Sequence, residues 1–288
     1  MHPMHRLAIV ALALACVVPP AHAQLQLPRA SQKNVVSQTI GITELSVTYH
    51  RPGVKDRAIW GTLVPYGEAW RTGANEATQF VTSTDIQVAG QTLPAGTYAI
   101  VTLPAKDKWV VVFSKQKELW GAFGYKPEED QLRVDVVPAA APHMEWMAIT
   151  LDPTTASGAE LAIHWEKLRV SVPIAVDVNG MVLKSAREAI AAAKADDWRT
   201  PMGAAAWCMD ADVAMDEATA WAATAVKAEE NPRTLAVSAR VANKTGRAKD
   251  AVAHMTKAVS IAKADPKFNK DLLATYEKDL SSWTTKKK

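Results

Sequence analysis

The stretch from Arg51 to Thr78 reads RPGVKDRAIWGTLVPYGEAWRTGANEAT and concentrates the residues best able to do chemistry. Arg51, Arg57 and Arg71 carry planar guanidinium forks that match carboxylates and other oxyanions, and Asn75 and Glu76 add an amide and a carboxylate. Trp60, Tyr66 and Trp70 add flat aromatic faces. Together these residues suit the capture of a small anionic or saccharide ligand. A long loop needs the same types for its own structure, because its carbonyls require donors and its tryptophans cover the core beneath. The structural role predicts that Trp60 and Trp70 are buried and that Arg71 is hydrogen-bonded by Glu76 or by loop carbonyls. The structural role is the preferred reading of this stretch, with anion or saccharide binding as the alternative.

Other reactive side chains are scattered. His50, His143 and His164 all fall at or beside predicted strands, so a three-histidine metal site is conceivable, yet they lack the local spacing of metal ligands and no metal is assigned. Glu76, Glu145 and Glu166 could supply a glycosidase acid and base, but sequence separation does not set the roughly 5–10 Å between carboxylates that such chemistry needs. Cys208, beside Trp207 in an alanine-rich segment, reads as a buried packing thiol. There is no G-x-S-x-G, H-E-x-x-H, C-x-x-C, G-x-x-x-x-G-K or G-x-G-x-x-G pattern, and no cofactor is expected. With a formal net charge of +3 and a single run of basic residues, Lys286 to Lys288, the chain has no field to gather nucleic acid.

The elements that must position these residues follow from composition. Residues 24–180 hold ten prolines and six tryptophans among short β-branched runs, whereas residues 181–288 hold 27 alanines and three prolines. A β domain followed by an α domain is expected, an α+β chain with boundaries at 24–180 and 181–288. Leu45, Val47 and Tyr49 alternate along Ile42 to His50, and further strands are predicted at Gln79 to Ser83, Asp85 to Val88, Thr97 to Leu103, Trp109 to Ser114, Leu132 to Val137, Glu145 to Leu151, Ala159 to Trp165 and Arg169 to Val176. Their spacing, with turn residues between, predicts an antiparallel β-sandwich. Helices are predicted at Ser185 to Ala195, Met202 to Met209, Asp216 to Ala228, Thr234 to Thr245, Lys249 to Ala264 and Lys270 to Trp283, with Pro201, Pro232 and Pro266 in the gaps. A shift of 33 superposes Glu217-Ala218 on Asp250-Ala251 and Ala225-Val226 on Ala258-Val259, and a shift of 34 superposes Pro232 on Pro266. This period resembles the tetratricopeptide repeat, with about two degenerate units, too few to stand alone, so the helices are expected to lean on the β domain.

The N-terminus predicts export. Leu7 to Val18 is an unbroken apolar run of twelve, and Ala21-His22-Ala23 places small residues where a signal peptidase reads, so residues 1–23 are expected to be a signal peptide cleaved near Ala23, giving a periplasmic or secreted protein. A run of twelve is too short to span a hydrocarbon core of about 30 Å as a helix, and no transmembrane segment is expected. A lipoprotein anchored through Cys16 is disfavoured, because leucine sits one place off its lipobox position. Loss of Cys16 leaves Cys208 alone and no disulfide to form.

The long RPGVKDRAIWGTLVPYGEAWRTGANEAT stretch is followed by LPAGTY at Leu93 to Tyr98, by Trp109 and Phe113 in one strand, and by WGAFGY at Trp120 to Tyr125. In this order these segments resemble the secreted bacterial family called domain of unknown function 2911, whose members often carry a repeat-like helical tail. The resemblance covers about Val35 to Ile174 and implies no established activity or catalytic residues. The leading reading is therefore a non-catalytic exported module that binds a ligand, or a protein partner through its helical region. The alternatives are an envelope hydrolase acting on carbohydrate and a structural envelope component.

Overall fold

A computed structural model describes residues 27–285, so the proposed signal peptide and Cys16 lie outside the described residues. The strands run β1 Gln32–Ile40, β2 Thr43–Arg51, β3 Thr78–Thr82, β4 Ile86–Val88, β5 Gln91–Leu93, β6 Gly96–Leu103, β7 Trp109–Ser114, β8 Asp130–Val136, β9 Ala139–Thr155 and β10 Gly158–Ala175. They form two sheets, β1-β2-β3-β6-β7-β8 and β5-β4-β10-β9, in which every pairing is antiparallel. One hydrophobic core joins the two inner faces, with Leu45, Val47, Phe80, Ile100 and Phe113 from the first sheet meeting Ile86, Met147, Ile149, Leu161 and Val172 from the second. Alternation along β2 places Leu45, Val47 and Tyr49 inward, as the period of two requires. At one edge the sheets are stitched by Tyr49, whose hydroxyl donates to the Ile149 carbonyl at 3.3 Å and accepts from the Ile149 N–H at 2.9 Å and from Asn34 Nδ2 at 3.0 Å.

Two strand predictions are corrected. Ala159 to Trp165 and Arg169 to Val176 belong to one strand, β10, interrupted by a bulge at Glu166, where φ is +54°. The polar pair Glu166-Lys167 imitates a turn, although the ladder with β9 resumes after it. Strand β1 was not among the predicted strands, because it is an edge strand whose side chains are mostly solvated or half-solvated.

The helices are α1 Val178–Ala192, α2 Arg199–Ala211, α3 Met215–Ala228, α4 Pro232–Lys244, α5 Ala248–Ala264 and α6 Lys270–Thr285. Pro232 is not in a gap; it opens α4, where a missing N–H costs nothing, behind an Asn231 cap. Pro201 likewise lies in the first turn of α2 and is buried there. Pro266 precedes α6 by four residues, so its match to Pro232 is not a structural equivalence. The helices bury two clusters of their own, one around Ala205, Cys208, Trp221 and Val241, the other around Leu235, Met255, Ala258 and Tyr276. Val178 and Met181, in the first turn of α1, pack on the β core. The expected leaning of the helices on the sandwich is thus narrow, and small residues close the helical interior instead.

Candidate functional site

Residues 52–77, between β2 and β3, cross one end of the sandwich. Trp70 fixes the crossing through paired backbone bonds to Thr102 of β6, each 2.8 Å. Thr78 Oγ1 donates to the Thr72 carbonyl at 2.6 Å, Thr72 Oγ1 donates to Thr102 Oγ1 at 3.2 Å, and the Ala74 N–H reaches the His50 carbonyl at 3.3 Å. The turn they hold is strained. Thr72 and Asn75 have φ of +56° and +59°, and a buried β-branched residue in that region persists only where its surroundings over-determine it. Gly73 allows the close approach, since a Cβ there would stand 3.0 Å from the His50 carbonyl oxygen.

Beneath the turn four indoles interlock. Five pairs among Trp60, Trp70, Trp109 and Trp165 have centroid separations of 4.9–6.4 Å, with Trp70 stacked on Trp165 at 5.8 Å and the other four edge to face. Trp70, Trp109 and Trp165 are buried, while Trp60 is half-buried against the same core. A pocket of about 320 Å³ opens here, walled by Pro52, Leu63, Val64, Trp70 and Trp165 and edged by Arg57, Arg71 and Asn75.

Arg71 is not held as the structural role predicts. Glu76 takes two 2.7 Å bonds from Arg29 Nη1 instead, and Arg71 Nε is buried without a partner among the described residues. Burial lowers the Arg71 pKa, and no neighbouring carboxylate offsets that effect. The loop carbonyls nearby are already engaged. Arg57 donates from Nε to the Val54 carbonyl at 3.0 Å and from Nη2 to Gly53 at 2.6 Å; Trp70 Nε1 donates to Gly73 at 3.2 Å; Asn75 Nδ2 donates to Ser31 at 3.3 Å. The WGAFGY segment flanks the guanidinium. Gly121, at φ +69°, binds the Asn75 carbonyl through its N–H, and a Cβ on it would lie 3.7 Å from Arg71 Nη1. Trp120 and Phe123 on that segment are exposed.

The remaining candidates are elsewhere. Arg51 donates to the Met147 carbonyl at 2.8 Å, tying the end of β2 to β9. Tyr66 is partly exposed and packs over Gly61. Glu76 lies in a cleft of about 650 Å³ with Arg29, Lys33, His50 and Gln79. His50 Nδ1 is 3.4 Å from Glu76. Burial holds the His50 pKa below its ordinary value against the opposing pull of Glu76, and the Arg29 bond holds the Glu76 carboxyl below the usual carboxylate range. His143 faces Glu145 at 3.4 Å, and His164 Nε2 lies 2.8 Å from the Pro142 carbonyl. Among the described residues no group of three or more His, Cys, Asp or Glu could hold a metal ion, so the three histidines are not brought together. Glu76, Glu145 and Glu166 are engaged separately, by Arg29, by the Lys55 N–H and by the Lys167 N–H.

Arg57, Trp70, Arg71 and Asn75 are therefore brought to one pocket, with Trp60 behind it, whereas Arg51, Tyr66 and Glu76 are not. Sequence reasoning missed Trp165 as a wall, Trp109 as a ring packed behind it, and Arg29 as the partner of Glu76. The inward tryptophans of two predicted strands were the available signal for the walls. No sequence signal marks Arg29, which is 47 residues from its partner.

The family model described as "Protein of unknown function (DUF2911)" matches residues 31–174, half of the chain. No curated protein matches the chain, and neither does any solved structure. The match spans both sheets and the whole 52–77 crossing, and the chain belongs to that family.

Proposed function

We propose that this member of the DUF2911 family is an exported, non-catalytic binding module whose ligand sits against Arg71, in the pocket between the 52–77 crossing and the tryptophan cluster. The observation that carries this reading is the buried Arg71 Nε with no partner among the described residues. A buried charged donor left unpaired is costly, so a side chain retained for structure would have found an acceptor. The positive-φ turn at Thr72–Asn75 supports the same reading, since strain of this kind collects at binding sites. A structural envelope role would instead need a filled, fully paired loop. Envelope hydrolysis has less behind it, because each candidate carboxylate is tied to a different partner.

The test is thermal denaturation of the purified protein against a panel of carboxylates, phosphate, sulfate and saccharides. We expect a rise in Tm with at least one anion or saccharide, and its loss in Arg71→Met, which keeps an apolar stem but removes the fork. No rise with any member of the panel, or a rise that survives the substitution, contradicts the proposal.

Export through cleavage near Ala23 rests on the apolar run and the small residues that follow it. An intact mass starting at Gln24 supports it, and a mass retaining earlier residues or a lipid on Cys16 opposes it. For the helical region we propose two degenerate tetratricopeptide-like units that offer a surface to a protein partner. Helices α3 and α5 begin 33 residues apart, and Ala218, Ala222 and Ala225 are buried at positions matched by Ala251, Met255 and Ala258.

A further inference from the structure

We infer that the ligand of the Arg71 pocket is a small organic monoacid, its carboxylate received by the Arg71 fork and its apolar body laid against the tryptophan walls. This deepens the binding reading and rests on it. Charge is the first argument. The lining holds two guanidinium groups, Arg57 and Arg71, and no carboxylate, while Glu76, five residues from Arg71, is bound by Arg29 at the neighbouring cleft. A net positive, partly dehydrated pocket selects an anion.

The hydrogen-bond inventory is the second argument. The carbonyls of Gly53, Val54, Gly73 and Ser31 already accept from Arg57, Trp70 and Asn75. Of the buried side-chain atoms left over around the pocket, all are donors; Asn75 Oδ1 and the Ser31 hydroxyl are the side-chain acceptors on the lining. Arg71 Nε and Trp165 Nε1 belong to residues that line the pocket, Trp60 Nε1 and Trp109 Nε1 belong to the rings packed behind it, and all four are buried without partners among the described residues. The complement of such a set is a group that only accepts, which an ionised carboxylate is and a sugar hydroxyl is not. A neutral saccharide would bring hydroxyl protons with few free acceptors to receive them.

The walls are the third argument, and they separate an organic acid from an inorganic oxyanion. Pro52, Leu63, Val64, Trp70 and Trp165 present apolar surface on the sides away from the arginines. Sulfate or phosphate carries polar oxygens all round and would turn some of them against that surface, at the cost of desolvation. A carboxylate on an apolar body satisfies both ends at once, and about 320 Å³ is at the small end of ligand pockets.

Isothermal titration calorimetry on the purified full chain tests this with four probes: benzoate, its uncharged isostere benzamide, sulfate and glucose. We expect benzoate to bind at least about tenfold more tightly than each of the other three, and Arg71→Met to weaken benzoate by at least about tenfold at a melting temperature no lower than the parent's, the margin of a lost charge-assisted contact. The comparison of benzoate with benzamide needs no variant and stands even if the substituted chain fails to fold. Equal affinity for benzoate and benzamide overturns the monoacid. Arg71-dependent binding of glucose or sulfate in place of benzoate also overturns it, while leaving the ligand pocket intact. Heat from none of the four overturns it too, and the pocket itself is then judged by the wider thermal panel.

Discussion

The two halves of the chain close their interiors in opposite ways. The sandwich buries large side chains, among them Trp109, Trp165, Tyr49, Phe80 and Phe113, whereas the helices pack through Ala205, Ala218, Ala222, Ala225, Ala239, Ala251, Ala258 and Ala262. Every buried side-chain polar atom found without a partner belongs to the β half: Trp60, Arg71, Trp109 and Trp165 around the pocket, and Asp130 Oδ1. The helical half buries Trp198, Trp221, Tyr276, Thr234 and Ser238 as well, yet much of its interior is alanine, which brings no polar atom to satisfy. Large aromatic residues build rigid walls and leave donors to be used, while small residues let helices approach closely and commit to nothing. Rigidity and unused hydrogen-bonding capacity thus coincide at the end of the sandwich crossed by residues 52–77.

The largest effect comes from cutting the chain between the halves. A fragment ending near Val176 should melt cooperatively as a β unit, whereas residues 177–288 alone should give a shallow, non-cooperative helical transition by circular dichroism, because alanine contacts bury little apolar area. A sharp melt of the helical fragment would break the comparison. Next in size are single truncations. Trp109→Ala should cost about 3–5 kcal/mol in denaturant unfolding. Ala258→Gly, which removes one buried methyl from a helix, should cost about 1 kcal/mol. Equal costs would mean that the two interiors are less different than they look.

A smaller effect concerns pH. The folded pKa of His50 is depressed, so the unfolded chain binds the proton more readily, and the stabilising contribution is present above the ordinary value of 6.5 and lost as pH falls through the folded value. Glu76 is also depressed, through Arg29, and its contribution is lost at lower pH, below the ordinary 4.5. Stability should therefore decline on acidification from about pH 6.5, and His50→Gln should remove the upper part of that decline while leaving the lower part to Glu76 and the other carboxyls held low, Glu145, Asp197 and Glu217. A decline unchanged by the substitution would assign the acid sensitivity elsewhere.

Particular residues explain how far the sequence could be read. Leu45, Val47 and Tyr49 alternate without interruption and gave β2 directly. Glu166-Lys167 hid the continuity of β10, because a bulge and a turn share polar composition. The crossing itself was legible as a cluster of arginines and aromatics, but its internal pairing was not. Arg71 and Glu76 are five residues apart and invite an ion pair, yet the positive φ values at Thr72, Gly73 and Asn75 redirect the chain, and Glu76 meets Arg29 across 47 residues. Proximity in sequence predicts contact only where the backbone between is regular.

The smallest expected effect is the most decisive. Arg71→Met, measured by urea unfolding without added ligand, should lower stability by no more than about 0.5 kcal/mol, and any larger change should be a gain, because the guanidinium has no partner within the described protein and the methionine retains the apolar stem. A loss of about 1–3 kcal/mol, the amount expected when buried acceptors lose a charged donor, would show that the protein itself uses the fork and that the pocket is not built around it.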